Sequence, residues 1–194
     1  MLHASEMWSG ALPGPYCDYL VDRLSKYPER PATIGFADGF REEPAFRSSV
    51  IRWLDPFGAD DDITGRIMQY VRNANRSVFG FDITSLNEIQ FTEYHAEANG
   101  HYDWHQDVWL ENPAPYDRKL SVSIQLSKPE DYDGGLLEFQ NSPQPDASFL
   151  AQGSVIIFPS FLTHRVMPVT RGIRRSLVTW IEGSKWRCSG QLAR

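Results

Sequence analysis

A change of pattern near residue 86 constrains the fold of this 194-residue chain more than any other feature. From that point on, short runs rich in β-branched and aromatic residues are separated by Gly, Pro, Asn and Asp, which is typical of an antiparallel sandwich or barrel. The pattern predicts strands at 86–95, 101–107, 119–127, 135–140, 153–158, 163–169 and 173–182, with shorter ones near 32–36 and 47–53. We therefore expect a mainly β fold with flanking helices.

The flanking helices are predicted in the N-terminal part of the chain. After Pro13-Gly14-Pro15, apolar residues recur at helical spacing at Tyr16, Leu20, Leu24 and Tyr27. A second apolar stripe follows the acidic run 60–62 and consists of Ile63, Ile67, Tyr70, Val71 and Ala74. Because no repeat or linker interrupts the chain, we expect one domain over 1–194, with a helical part to about residue 80 and a β-barrel core over about 81–183.

The overall charge and the cysteine count narrow the classes of partner. A net charge of −6 argues against a broad basic surface for nucleic acid or for anionic membrane. The two cysteines, Cys17 and Cys188, provide neither a disulfide framework nor a CxxC zinc motif, so free thiols are expected. The sequence contains no signal-peptide pattern and no apolar run of membrane-spanning length, so a cytoplasmic protein is expected.

Two overlapping His-x-Asp tripeptides offer metal ligands in one predicted strand. Residues i and i+2 of a strand point to the same face, so His105 with Asp107, or His101 with Asp103, could reach one ion. Position favours the first pair, because it lies at the end of the strand, beside the long loop 108–118, where a site can admit substrate. His101 is then a surface histidine or supports the site from outside.

A third ligand and an anion-binding group come from later strands. His164 would complete a face of two histidines and one carboxylate, the ligand set of non-haem Fe(II) oxygenases. Arg174 follows ten residues later and shares a strand face with Ser176, whereas the neighbouring Arg175 must point to the other face. A guanidinium binds a carboxylate with two hydrogen bonds, so Arg174 and Ser176 are candidates for holding an acidic co-substrate.

Taken together, these segments resemble the prolyl-4-hydroxylase-like branch of the Fe(II)/2-oxoglutarate dioxygenases. The resemblance is carried by residues 94–107, 118–127, 131–137 and 153–180. The Tyr-x-x-His-x-Asp pattern of that family falls on Tyr102, His105 and Asp107, which supports the choice between the two tripeptides. The distal histidine of the family falls on His164, and its 2-oxoglutarate arginine falls on Arg174.

The resemblance also implies a fold and further site residues. The fold would be a double-stranded β-helix, a jelly-roll or cupin-like barrel with Fe(II) at its mouth. Tyr94 matches an upstream tyrosine that helps to hold 2-oxoglutarate, and Gln125 stands where some relatives carry a tyrosine near that co-substrate. The substrate pocket would be lined by Trp180, by Tyr102 and by Trp109 of the loop after Asp107.

The activity implied by the resemblance is hydroxylation of an unactivated C–H bond. It would use Fe(II), 2-oxoglutarate and O₂, with ascorbate as a stimulant, on a prolyl or other amino-acid or peptide substrate. Asp107 favours hydroxylation, because iron halogenases of the broad superfamily have a small residue at this position. Two alternatives are an oxygenase of nucleobases or nucleic acid, which the acidic charge disfavours, and a non-catalytic barrel that binds a metal or a small acid.

Overall fold

The computed structural model describes residues 5–36, 39–111 and 113–187. Its two α-helices are α1 (Gly14–Leu24) and α2 (Asp61–Ala74). The strands are β1 (Glu6–Trp8), β2 (Arg30–Pro31), β3 (Ile34–Phe36), β4 (Gly39–Arg41), β5 (Arg47–Ser48), β6 (Val50–Leu54), β7 (Ser85–His95), β8 (His101–His105), β9 (Tyr116–Gln125), β10 (Tyr132–Gly134), β11 (Leu137–Phe139), β12 (Val155–Pro159), β13 (His164–Val166) and β14 (Val169–Ser184).

These strands form two facing antiparallel sheets and a small hairpin. The main sheet has the order β1-β12-β9-β14-β7-β6-β2, and β10 also pairs with β14. The smaller sheet has the order β11-β13-β8-β5, and β3 pairs with β4. The order of the strands does not follow the order of the chain, as expected for a jelly roll, in which neighbouring strands come from distant segments.

The long strand β14 shows how the main sheet separates two cores. Leu177 and Ile181 belong to the apolar core that includes residues of α1 and α2, such as Leu20 and Ile67. The alternate residues of β14 point to the other side, toward the smaller sheet, because successive side chains of a strand face opposite ways. A second core of nine buried residues lies there: Tyr94, Tyr132, Leu137, Phe139, Phe149, Ile156, Phe158, Val166 and Val169. The fold therefore has three layers, and the site lies between the two sheets.

The predicted mainly β fold is confirmed, with corrections in the details. β8 ends at His105, so Asp107 lies two residues beyond the strand rather than inside it. β14 runs from Val169 to Ser184, so residues 169–172 belong to this strand rather than to a break between the predicted strands 163–169 and 173–182. β6 lies where the strand near 47–53 was predicted, whereas β1 and β2 were not predicted and add two strands to the main sheet. Periodicity identified the two helices of the N-terminal part. Strands of two to five residues are too short for a periodic pattern that fixes their bounds.

Two further observations concern the rest of the chain. Cys17 is a buried free thiol, as expected, whereas Cys188 lies outside the described residues. Within the described part of the chain, neither helix has the length and apolar character needed to cross a membrane.

Candidate metal and co-substrate site

Three potential metal ligands meet where the smaller sheet faces β9. His105 at the end of β8 and His164 at the start of β13 are paired across the two strands, which places their rings side by side. Asp107 completes the group, with Oδ1 3.7 Å from His105 Nε2 and Oδ2 3.5 Å from His164 Nε2. All three ligand atoms lie within 4.8 Å of one another. Ligand bonds of about 2.1 Å allow one divalent ion to meet donors at such spacing.

Hydrogen bonds fix the orientation of each of these side chains. His105 Nδ1 lies 2.7 Å from the carbonyl oxygen of Asp103, and His164 Nδ1 lies 2.8 Å from that of Leu162. Each carbonyl oxygen accepts a hydrogen bond from Nδ1–H, so the free lone pair of the ring is on Nε2, which is the usual arrangement of a metal-binding histidine. Asp107 Oδ2 accepts a hydrogen bond of 2.6 Å from Ser121 Oγ.

The charge states also suit a metal centre. Burial, and after it the nearby His164, lowers the pKa of His105 to about 3, so the imidazole is neutral at pH 7. Burial would raise the pKa of Asp107, but His164, His105 and the Ser121 hydroxyl outweigh it, and the net shift is downward. Neutral imidazole and ionised carboxylate are the forms that bind metal ions.

The competing tripeptide residues lie outside this group. His101 at the beginning of β8 is hydrogen-bonded to backbone, with Nδ1 2.7 Å from the Asn99 carbonyl oxygen and Nε2 3.2 Å from that of Ala45. Asp103 is exposed and accepts a hydrogen bond from the Trp104 backbone amide. The only described group of three or more His, Cys, Asp or Glu side chains that could hold a metal is the one formed by His105, Asp107 and His164.

The candidate anion site lies further along the main sheet. Arg174 is 3% exposed and lines a cavity shared with the three potential ligands. Its register partner on β7 is Tyr94, whose ring centroid lies 5.7 Å from the guanidinium carbon. Ser176 is on the same face, and its Oγ is buried with no hydrogen-bond partner among the described residues. A buried cation beside an unsatisfied hydroxyl is costly unless a ligand completes the site.

The predicted division between the two adjacent arginines is observed. Arg175 Nε donates to Glu93 Oε1 at 2.7 Å, on the face of β14 opposite to the cavity. Arg174 has no ion pair with any described carboxylate, although it is the more buried of the two. Gly135 leaves room for the Arg174 side chain, because a Cβ added there would lie 2.8 Å from Arg174 Cδ.

Gln125 is buried next to this site and does not line the cavity. It is the register partner of Ser176 on β9 and is 1% exposed. Its Nε2 donates to the Tyr132 hydroxyl at 2.7 Å, and its Oε1 has no described partner. Gln125 is absent from the residues that line the cavity, so direct contact of this side chain with a co-substrate stays a prediction.

The cavity that connects these groups has a volume of about 1150 Å³. The three predicted pocket aromatics, Trp180, Tyr102 and Trp109, all line it. Trp180 is 8% exposed and carries a buried Nε1 without a described partner, whereas Trp109 is half exposed at the mouth. This volume is above the usual range of about 300–1,000 Å³ for small-molecule pockets, so a substrate larger than a free amino acid also fits.

Three residues that support the site were not predicted from the sequence. Arg47 of β5 lies over the Tyr102 ring at 4.5 Å, and Tyr102 in turn stacks on His105 with centroids 3.5 Å apart. Arg118 covers the Trp180 ring at 3.8 Å. Ser121 holds Asp107, as described above. Each of these residues supports a residue of another segment, so the local sequence could not reveal these contacts. The only available signal was the alternation within β9, which puts Ser121 on the inward face.

Comparison with known proteins shows a match over the segment that carries this site. The model of the 2OG-Fe(II) oxygenase superfamily matches residues 89–182, which include all three potential ligands and Arg174. This segment of the chain is therefore similar to the 2OG-Fe(II) oxygenase superfamily. The resemblance to the Fe(II)/2-oxoglutarate dioxygenases seen in the sequence is thereby confirmed.

Individual relatives that match part of the chain are named as hydroxylases. A PKHD-type hydroxylase of Synechococcus sp. (strain JA-2-3B'a(2-13)) is 40% identical over 88 residues, 44% of this chain and 39% of that protein. A PKHD-type hydroxylase of Colwellia psychrerythraea is 39% identical over 85 residues, 44% of this chain and 38% of that protein. The matched part of the chain thus spans about two fifths of the length of these relatives.

Solved structures share the fold of the oxygenase domain. A Pseudomonas putida prolyl-4-hydroxylase superposes with a TM-score of 0.68 at 22% identity, covering 96% of this chain and 94% of that one. A Trichoplax adhaerens prolyl hydroxylase in complex with a hypoxia inducible factor peptide fragment gives a TM-score of 0.71 at 16% identity, covering 92% and 83%. These likenesses confirm the double-stranded β-helix.

Proposed function

We propose that this protein is an Fe(II)- and 2-oxoglutarate-dependent dioxygenase that hydroxylates an unactivated C–H bond. The single observation that carries the proposal is Arg174, a guanidinium that is 3% exposed, lacks a described carboxylate partner and opens on the same cavity as His105, Asp107 and His164. A buried cation of this kind calls for an anionic ligand. The metal ligands and the anion site together match what a chelating oxo-acid co-substrate needs.

The side chains of the site have distinct tasks in this proposal. His105, Asp107 and His164 would hold Fe(II) on one face and leave positions for co-substrate and O₂. Arg174 and Ser176 would bind the C5 carboxylate of 2-oxoglutarate, beside Tyr94. Fe(II) and 2-oxoglutarate bound there would supply, with O₂, the oxidising power for hydroxylation, and the co-substrate would leave as succinate and CO₂. Ser121 and the two backbone carbonyls keep the ligands oriented throughout.

The substrate we propose is a prolyl or other amino-acid residue, free or within a peptide. The names of the PKHD-type hydroxylases and the peptide in the Trichoplax complex support this class, and the 1150 Å³ cavity has room for more than one residue. Trp180, Tyr102 and Trp109 would exclude water around the target carbon. A nucleic-acid substrate is not favoured, since the chain carries a net charge of −6. The cytoplasmic location and the single-domain organisation predicted from the sequence stay predictions.

Succinate release tests the proposed activity directly. Purified protein would be supplied with Fe(II), 2-oxoglutarate and ascorbate and assayed with a panel of prolyl peptides, free amino acids and nucleosides. We expect succinate that depends on a prolyl or amino-acid substrate, and we expect none from His164→Ala. Arg175→Met is the matched control, because its side chain lies on the opposite face of β14. Succinate formed only with nucleosides would refute the proposed substrate class. Failure of the protein to bind metal would refute the proposed activity.

A further inference from the structure

The chain contains three buried arginines among its described residues, and they differ in how their charge is balanced. Arg52 donates to Glu93 at 2.5 Å and to Glu29 at 3.0 Å, so two carboxylates compensate it. Arg47 and Arg174 are 9% and 3% exposed, and neither has a carboxylate within 4.0 Å among the described residues. Both of these unbalanced arginines line the cavity, whereas Arg52 does not. Arg174 is assigned to the co-substrate, and Arg47 is left to be explained.

The contacts of Arg47 are all neutral. Its Nε donates to Ser49 Oγ at 3.1 Å and its Nη2 donates to Gln90 Oε1 at 2.9 Å, while the plane of Tyr102 lies 4.5 Å from the guanidinium carbon. The structure shows no described acceptor for Nη1. These contacts hold the side chain in place without cancelling its charge, so one face of a preoriented cation remains for a ligand.

Arg47 and Arg174 are the buried cations among the described residues that line the cavity. The acidic side chains at its rim have other contacts, since Glu88 pairs with Arg118 at 3.0 Å, Asp117 pairs with Lys185 at 2.9 Å and Glu182 accepts a hydrogen bond from Asn87. A co-substrate carboxylate on Arg174 would leave Arg47 as a buried cation without an anion. Such a charge is unfavourable, and an anionic group on the substrate would compensate it.

The position of Arg47 separates it from the co-substrate end. Its acceptor Gln90 is the register partner of Val178, four residues along β14 from Arg174. Four residues of a strand correspond to about 13 Å. Arg47 also belongs to the smaller sheet, where it is the register partner of Tyr102 on β8. It therefore approaches the metal ligands from the side of His105 rather than from that of Arg174.

We propose that Arg47 binds a carboxylate of the primary substrate, so that the enzyme selects an acidic amino-acid or peptide substrate over its neutral counterpart. The inference rests on the proposed function and adds to it a residue that determines substrate specificity. The carboxylate could be the α-carboxylate of a free amino acid or chain end, or a side chain next to the target residue. In each case a charge-assisted hydrogen bond to Nη1 would join the existing contacts to Gln90 and Ser49.

The test compares acids with their amides. Isothermal titration calorimetry would measure the binding of N-acetyl-L-proline and N-acetyl-L-prolinamide, and of Ac-Gly-Pro-Asp-NH₂ and Ac-Gly-Pro-Asn-NH₂, to protein loaded with Mn(II) and 2-oxoglutarate. We expect at least one acid of these pairs to bind about tenfold or more tightly than its amide, as a charged hydrogen bond implies. In Arg47→Gln the ratio should fall to about one, and in Arg47→Lys part of it should remain. The first pair reports an α-carboxylate and the second a side chain.

Controls separate this inference from the proposed function. The affinity for 2-oxoglutarate should change by less than about twofold in Arg47→Gln, and the thermal transition of both variants checks that they are folded. Wild-type protein whose acids bind no better than the amides, whether both bind or neither does, would overturn the role of Arg47. A preference that persists in Arg47→Gln, or a loss of 2-oxoglutarate binding in that variant, would overturn it as well. Failure of the wild-type protein to bind 2-oxoglutarate would instead refute the proposed function.

Discussion

Replacement of Arg174 by methionine should strongly weaken co-substrate binding without destabilising the unliganded protein. Methionine keeps most of the length of the side chain and removes its charge, so the packing against Gly135 is largely kept. Arg174 is 3% exposed and has no described ion pair, so the charge contributes little that is favourable in the absence of a ligand. We therefore expect the melting temperature of Arg174→Met to equal or exceed that of the wild type.

The expected loss of affinity follows from the hydrogen bonds that a carboxylate would lose. A hydrogen bond to a charged group contributes about 1.5–3 kcal/mol, and a guanidinium offers two of them to one carboxylate. A loss of roughly 3 kcal/mol corresponds to an increase of about 100-fold or more in the dissociation constant of 2-oxoglutarate. Titration calorimetry on protein loaded with Mn(II) measures it without turnover.

Arg175→Met is the matched control for this prediction. It loses a hydrogen bond of 2.7 Å to Glu93, with the arginine side chain 27% exposed, so we expect a loss of roughly 1–2 kcal/mol in the free energy of unfolding. That corresponds to a melting temperature lower by about 3–6 °C for a chain of this size, with unchanged 2-oxoglutarate affinity. If Arg174→Met instead lowers the melting temperature and leaves the affinity intact, the assignment of Arg174 to an anionic ligand is refuted.

Three further predictions concern the metal ligands and the stability of the main sheet. Asp107→Ala should weaken Fe(II) binding and stop substrate oxidation, as measured by metal analysis and succinate release; activity at the wild-type level would exclude Asp107 as a ligand. His105→Ala should lose stoichiometric Fe(II), whereas His101→Ala, whose ring is hydrogen-bonded to backbone, should keep it; the reverse result would reassign the site. Burial raises the pKa of Glu93, but Arg175 and Arg52 lower it more, so its stabilisation is present above the unfolded pKa of about 4.3 and is lost as the pH falls. Glu93→Gln should therefore be less stable than the wild type at pH 7 by roughly 2 kcal/mol or more, and the difference in denaturant midpoints should shrink toward pH 3; a pH-independent difference would contradict this.

The elements that the sequence predicted well are those with a long periodic pattern. Strand β14 shows eight or more alternating positions, and the helix stripes of α1 and α2 repeat over three turns, so their faces could be assigned. The metal ligands were predicted because His105, Asp107 and His164 combine a short-range spacing with a family resemblance. Alternation alone was enough to separate Arg174 from Arg175.

The rest of the site depends on pairing between distant strands, which leaves no local pattern. Arg47 reaches the cavity only because β5 pairs with β8, a contact between segments more than fifty residues apart. Ser121 holds Asp107 only because the chain returns as β9 beside Asp107 after a long loop. The resemblance assigned Gln125 to the co-substrate, and this stays a prediction; its amide donates to the Tyr132 hydroxyl.

The alternation along β14 has a consequence for how such an enzyme can be changed. Its helix-facing residues, such as Leu177 and Ile181, can be exchanged for apolar residues of similar volume with little effect on the reaction. Its cavity-facing position Val178, with Ser123 opposite on β9, is not one of the three potential ligands and lies four residues along the strand from Arg174. Libraries restricted to Val178 and Ser123 would therefore vary the shape of the substrate chamber while leaving both the scaffold and the reactive centre intact, which makes this pair the natural starting point for redirecting the enzyme to new substrates.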